Sequence, residues 1–206
     1  MDEFQAANRQ KWNELAEVHY TSANSDSGID DFLSGPEGTR DLHKTELIEL
    51  GSLKDLDILH LQCHFGMDTL LLARKGAKSV TGLDFSPVAI AQARELAERA
   101  GIEATFIEGN VYDAPTLVQG TYDLVYVSWG TICWLPDIDA WARVVAHFVK
   151  PGGRFYFLDQ HPVTLSFDDY APAPHAPVYD YFHKPEPIAF DQTDSYADEK
   201  AVLETK

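Results

Sequence analysis

The chain is poor in cysteine: Cys63 and Cys133 are the two thiols among 206 residues, and neither stands in a CxxC or a Cys/His cluster. That excludes a disulfide framework and a thiolate-bound structural metal, and fits reduced thiols in a reducing compartment. Long apolar runs are missing too. No stretch approaches the roughly 20 consecutive apolar residues of a membrane span, so no membrane partner is expected. Met1 to Lys11 is polar and mixed in charge, without the basic start and apolar stretch of a secretory signal, so a cytoplasmic location is expected. Positive charge is also scarce: 16 Lys and Arg face 33 Asp and Glu, giving a formal net charge of -17. Such a surface repels phosphate backbones and carries no Lys/Arg stripe, so the expected substrate is a small molecule and not a nucleic acid. No repeat of fixed period is present, which excludes a solenoid.

The length suits one domain with its own core. Residues 1–50 read as helical pieces, with Trp12, Leu15, Ala16 and Tyr20 at helical spacing and Leu42, Leu47, Ile48 and Leu50 in a second helix ending near Gly51. Between them, Thr21 to Gly38 is rich in Ser, Asp, Asn and Gly and reads as an exposed connection. Residues 57–160 alternate short apolar runs with amphipathic stretches. Strands are expected at Ile58 to Leu61, Ser79 to Leu83, Ala104 to Glu108, Tyr122 to Ser128 and Arg154 to Leu158, and helices at Asp68 to Arg74, Pro87 to Ala100 and Ile138 to Phe148. This alternation predicts an α/β fold, a doubly wound, mainly parallel sheet with helices on both faces. Residues 161–206 form an acidic segment containing Pro172, Pro174, Pro177, Pro185 and Pro187, a density that forbids a continuous helix or central strand.

Function should reside where strands end. Ile58 to Leu61 runs into Gln62, Cys63, His64, Phe65 and Gly66 before a helix begins, a turn that presents backbone N–H groups at the carboxyl edge of the sheet. The second strand ends in Asp84, followed by Phe85 and Ser86. A carboxylate there can accept both ribose hydroxyl hydrogens, or it can serve the start of the next helix. Gly109-Asn110 reads as a turn or as a ligand contact. The strand in YDLVYVSWGTICWLPD ends at Ser128 and Trp129, an aromatic that either faces a cation or fills core.

Together with Val149 to Gly153, these segments resemble, in order and spacing, the five motifs of the class I, Rossmann-like S-adenosylmethionine-dependent methyltransferases, over about half the chain. The resemblance implies S-adenosylmethionine as cofactor, S-adenosylhomocysteine as product and an acceptor it does not identify. It sets Gln62, Cys63, His64 and Gly66 beneath the methionine portion, Asp84 on the ribose and Phe85 against the adenine. Asn110 and Val111 fall at the adenine ring, and Ser128 and Trp129 between cofactor and acceptor. Val149 to Gly153 matches the tight turn before the fifth strand. His60 stands where the family usually has an acidic residue, and Gln62 and His64 where it usually has glycines. The N-terminal helices resemble the family's lid, with Tyr20 as a closing residue, and Arg40 could meet a carboxylate. A base is optional; His161 is the first candidate and His64 the second.

The family's sheet usually ends with a sixth strand and an antiparallel seventh, whereas here Ala201 to Thr205 could begin one strand. The expectation is a truncated chain, or an edge covered by a second copy in a homodimer. Two other readings stay open: a non-catalytic protein that binds an adenosyl cofactor, and a nicotinamide-dependent oxidoreductase, whose GxGxxG the turn QCHFGM lacks.

Overall fold

The computed structural model describes residues 3–21, 28–35, 40–167, 176–182, 184, 186–189, 195 and 203–205. Apolar strands covered on both faces belong in parallel sheets. Five strands, β1 (Asp57–Leu61), β2 (Ser79–Asp84), β3 (Thr105–Glu108), β4 (Tyr122–Ser128) and β5 (Val149–Leu158), form one parallel sheet in the order β3-β2-β1-β4-β5, with β1 and β4 at its buried centre. The described helices are α1 (Glu3–Thr21), α2 (Ile29–Leu33), α3 (Lys44–Leu50), α4 (Met67–Arg74), α5 (Pro87–Ala100), α6 (Ala114–Leu117) and α7 (Ile138–Phe148). Among the described residues no helix is long and apolar enough to cross a membrane.

Side chains alternate along β1. Ile58 joins Phe32, Leu70, Ile90 and Tyr126 on one face, and Leu59 and Leu61 join Val125, Trp141, Val145 and Phe148 on the other. Helices therefore cover both faces, which is the doubly wound arrangement. After β3 the chain returns to lay β4 beside β1, so the strand order reverses between the carboxyl ends of β1 and β4, where open α/β sheets place their ligands.

Local chemistry fixes the elements that matter for that edge. Ser86 Oγ accepts from Ala89 N at 3.1 Å and Pro87 opens α5. Gly101, with φ of 65°, ends it by donating to Ala97 and Glu98 carbonyls. The predicted tight turn falls within β5: Val149 pairs with Tyr122 and Arg154 with Leu124, so residues 150–153 bulge out of the register and Gly152 takes a φ of 80°. A Cβ on Gly153 would lie 3.0–3.1 Å from the carbonyl oxygens of Lys150, Asp123 and Tyr122, so only glycine lets the strand pass there.

Two further expectations are corrected. The Thr21 to Gly38 connection contains α2, whose Ile29 and Phe32 are buried, because two apolar residues three apart outweigh the polar composition around them. Of Ala201 to Thr205, the described Leu203, Glu204 and Thr205 form no strand. Leu203 is buried, and Glu14 of α1 accepts from Glu204 N at 2.7 Å and Thr205 N at 3.0 Å, which uses the backbone groups a strand would have paired. Pro172, Pro174 and Pro185 lie outside the described residues; Pro177 makes an isolated antiparallel bridge with Phe167.

Candidate active site

The turn after β1 takes a left-handed path. Gln62, His64 and Gly66 have φ of 60°, 52° and 76°, and a non-glycine residue there costs of order 1 kcal/mol. Cross-links hold it: Cys63 N donates to Leu83 O at 3.0 Å and His64 N to Asp84 Oδ2 at 2.8 Å. Gln62 Nε2 donates to Thr131 O at 3.4 Å, and Gln62 Oε1 accepts from Trp141 Nε1 at 3.0 Å. Both positions thus keep a left-handed backbone, and the Gln62 side chain adds a clamp to it, while the His64 ring packs against Trp12 and Phe65. The Cys63 side chain is buried in the core beside Gly82, so only its backbone faces the edge.

Asp84 is buried at the tip of β2, where its carboxylate accepts from His64 N and, at 2.9 Å, from Ser86 N. Burial raises its pKa to about 6, with the backbone donors pulling the other way. The acid therefore serves both the turn and the entry to α5, and its remaining lone pairs are free to accept from a ligand. Phe85 beside it is half-buried. Asn110 Oδ1 accepts from Tyr112 N at 3.1 Å and caps the single turn Val111–Asp113, in which Val111 is buried.

On the other side of the switch point, Ser128 Oγ donates to Asp68 Oδ2 at 3.2 Å. Trp129 also has a left-handed backbone, φ 42°; its indole is 47% exposed and stands edge-on to His43 at 5.6 Å. Asp159, at the end of β5, holds this loop by accepting from Gly130 N at 2.7 Å and Thr131 N at 3.2 Å.

Helix α1 lies across these tips. Trp12 packs edge-on against His64 and against Trp134, both at 5.5 Å. Asn13 Oδ1 accepts from Ser86 Oγ at 2.6 Å, and Arg9 pairs with Glu108 at 2.7 Å. Tyr20 packs against Phe65 at 5.9 Å, and its hydroxyl accepts from Arg99 at 3.2 Å. His19 lies 5.3 Å from His64, and burial lowers their pKa values to about 4 and about 3, so both rings are neutral at pH 7. His161 is exposed beyond β5, and its Nδ1 accepts from Val163 N at 3.2 Å, capping a local turn.

The structure thus gathers Gln62, His64, Gly66, Asp84, Ser128 and Tyr20 around one edge, and gives Cys63 and Val111 buried side chains. Sequence reasoning missed the site positions of Trp12, His19, Asp68, Trp141 and Asp159. Two carried a readable signal: Asp68 is an acid two residues past the turn glycine, and Asp159 ends the fifth strand as Asp84 ends the second.

Residues 58–153 match the family described as a methyltransferase domain. That stretch is similar to methyltransferases over just under half of the chain. The chain is 32% identical over 107 residues to the ubiquinone biosynthesis O-methyltransferase of Cronobacter sakazakii, covering 52% of this chain and 43% of that protein. It is likewise 32% identical over 125 residues to an uncharacterised methyltransferase of Synechocystis, covering 60% and 56%. The chain spans about half the length of the curated relatives it matches. Among solved structures, an S-adenosylmethionine-dependent methyltransferase of Mesorhizobium loti superposes with a TM-score of 0.52 at 29% identity, over 59% of this chain and 55% of that one. The strand order and this likeness give the chain the Rossmann-like fold of class I methyltransferases.

Proposed function

We propose that this chain binds S-adenosylmethionine at the carboxyl edge of its sheet and transfers the methyl group to a small-molecule acceptor. The observation that carries this reading is Asp84, an acid buried at the tip of β2 with two backbone donors fixing its orientation. The site's polar atoms suit such a ligand: His64 Nε2 and Arg40 Nε are buried without hydrogen-bonding partners. Asp84 would hold the ribose, Phe85, Asn110 and Val111 the adenine, and the turn from Gln62 to Gly66 the methionine portion. When bound, the cofactor supplies an activated methyl group. The chain's own part is to orient and desolvate: α1 covers the edge, and the loop at Ser128 and Trp129 faces the acceptor. Where the acceptor carries a proton, His161 is the proposed base and His64 the alternative.

The net charge of -17 supports a small molecule over a nucleic acid as acceptor, and cytoplasmic placement belongs to the same proposal. So does a homodimer over the β5 side, where Phe155 and Phe157 are 40% and 38% exposed; light scattering reads it. Calorimetric titration of S-adenosylmethionine and S-adenosylhomocysteine, with NADH as control, tests the cofactor reading. Saturable binding that Asp84→Ala weakens about tenfold or more is expected. A folded chain that binds neither adenosyl ligand overturns it.

A further inference from the structure

Helix α1 is held from outside as well as by the strand tips it covers. Toward the sheet, Trp12 packs on His64 and on Trp134, each at 5.5 Å, and Asn13 accepts from Ser86 Oγ at 2.6 Å. Lys11 and Glu14 flank those two residues in sequence. At about 100° of rotation per residue, the direction midway between Lys11 and Glu14 points opposite to the direction midway between Trp12 and Asn13. One turn of α1 therefore has a face for the site and a face for something else.

What meets the second face is a segment 190 positions away in the sequence. Glu14 Oε2 accepts from Glu204 N at 2.7 Å and from Thr205 N at 3.0 Å, and Glu14 Oε1 accepts from the Thr205 hydroxyl. Lys11 Nζ donates to Thr205 O at 3.2 Å, and Leu203 is buried. Burial pushes the Glu14 carboxyl up, but the bonds from Thr205 and Glu204 and the Lys11 charge outweigh it and leave its pKa below the ordinary carboxyl value. The carboxylate is thus ionised at pH 7, and its bonds to the segment are charge-assisted.

A segment that merely covered apolar surface would use Leu203 and leave Glu14 aside. Instead one carboxylate collects three donors and the lysine beside it takes a carbonyl, so the polar groups of the segment are committed to a single turn of α1. That turn carries Trp12, whose indole lies against the ring of His64, where Nε2 is buried without a partner. We propose that residues 203–205 latch α1 shut: by gripping Lys11 and Glu14 they keep Trp12 and Asn13 on the strand tips, and the edge opens to a ligand when the segment lets go. The grip rests on these contacts alone; what the opened edge admits rests on the cofactor reading above.

Hydrogen exchange and binding kinetics on the full chain test the latch from both of its sides. Glu14→Ala removes the acceptor, and Thr205→Pro removes the backbone N–H and the hydroxyl that bond to it. Each variant is checked for native circular dichroism; Thr205→Pro, outside every helix and strand, decides if Glu14→Ala is unfolded. In either variant the amides of α1 are expected to exchange about tenfold faster or more, while those of α7 change by less than about twofold. S-adenosylhomocysteine should associate about threefold faster or more at saturating concentration. The double variant should add little to either single one, because both remove the same bonds. Unchanged exchange in α1, equal acceleration in α1 and α7, or faster exchange with unchanged association each overturns the latch. A native chain that binds no adenosyl ligand overturns the cofactor reading instead, and exchange in α1 then decides the grip by itself.

Discussion

The indole Nε1 of Trp141 donates to Gln62 Oε1 at 3.0 Å, fastening a residue that replaces a turn glycine to α7 on one face of the sheet. Two opposing effects meet at Gln62. Its left-handed backbone costs of order 1 kcal/mol, whereas stranding the buried indole donor would cost about 1–3 kcal/mol. Gln62→Gly is therefore expected to destabilise the chain by about 1 kcal/mol despite relieving the backbone. Adding Trp141→Phe should recover part of that loss, since phenylalanine has no donor to strand. Urea unfolding of the two single variants and the double variant checks it; simple additivity would contradict the coupling.

Asp84 gives the proposed ribose contact a pH dependence. With its pKa raised by burial to about 6, the carboxylate is ionised above that pH and protonated below it. Protonation removes the charge and turns one of the two acceptor oxygens into a donor. Affinity for 5′-methylthioadenosine should be flat above about pH 7 and fall as pH drops through about 6. Asp84→Asn should bind weakly throughout and lose the step. Titrations at about pH 5 and pH 7.5 decide it, and an unchanged step in the variant would assign the titration to another group.

At the opposite edge of the sheet, Asp57 accepts from Ser79 Oγ at 2.7 Å, Lys150 Nζ at 3.1 Å and Lys78 Nζ at 3.2 Å. Ser79 first, then Lys150, hold its pKa at about 2, below the ordinary 3.8. A lowered carboxyl pKa gives stability that is present above the unfolded value and lost as pH falls through the folded one. The native chain should therefore weaken between about pH 4 and pH 2 more steeply than Asp57→Asn, which has no carboxylate to protonate. Denaturant midpoints across that window provide the check.

Phe32 is fully buried, with the Arg74 guanidinium carbon 3.6 Å from its ring centroid. Phe32→Ala should cost about 3–5 kcal/mol, lowering the melting temperature by roughly 10 °C for a chain of this size. If α2 were only an exposed connection, the change would stay within about 0.5 kcal/mol.

The central strands were legible because they are buried on both faces, so Leu124 to Val127 reads as an apolar run; α5 was legible through Ser86, Pro87 and Gly101. Asp84 could be found because an acid ending a strand stands out from the apolar residues before it. The contacts of α1 could not be found. Trp12 and His64 are 52 positions apart in the sequence, and helical spacing tells which face of α1 is apolar without telling what it meets. α2 was hidden by the polar residues around Ile29 and Phe32. Asp68 was passed over because an acid in a first helical turn is ordinary; what distinguishes it is its bond from the Ser128 hydroxyl, 60 positions away, which only three-dimensional proximity reveals.

Helix α1 is anchored at three strand tips at once, through Trp12 on the turn after β1, Asn13 on Ser86 beyond β2 and Arg9 on Glu108 at the end of β3. On the proposed cofactor reading, a nucleoside reaching Asp84 would have to wait for these three contacts to release together. Its observed association rate should then rise with concentration at first and level off at the opening rate of the helix, a ceiling that Arg9→Ala would lift. Access to the proposed site would thus be metered by α1, which contributes none of the strands beneath it.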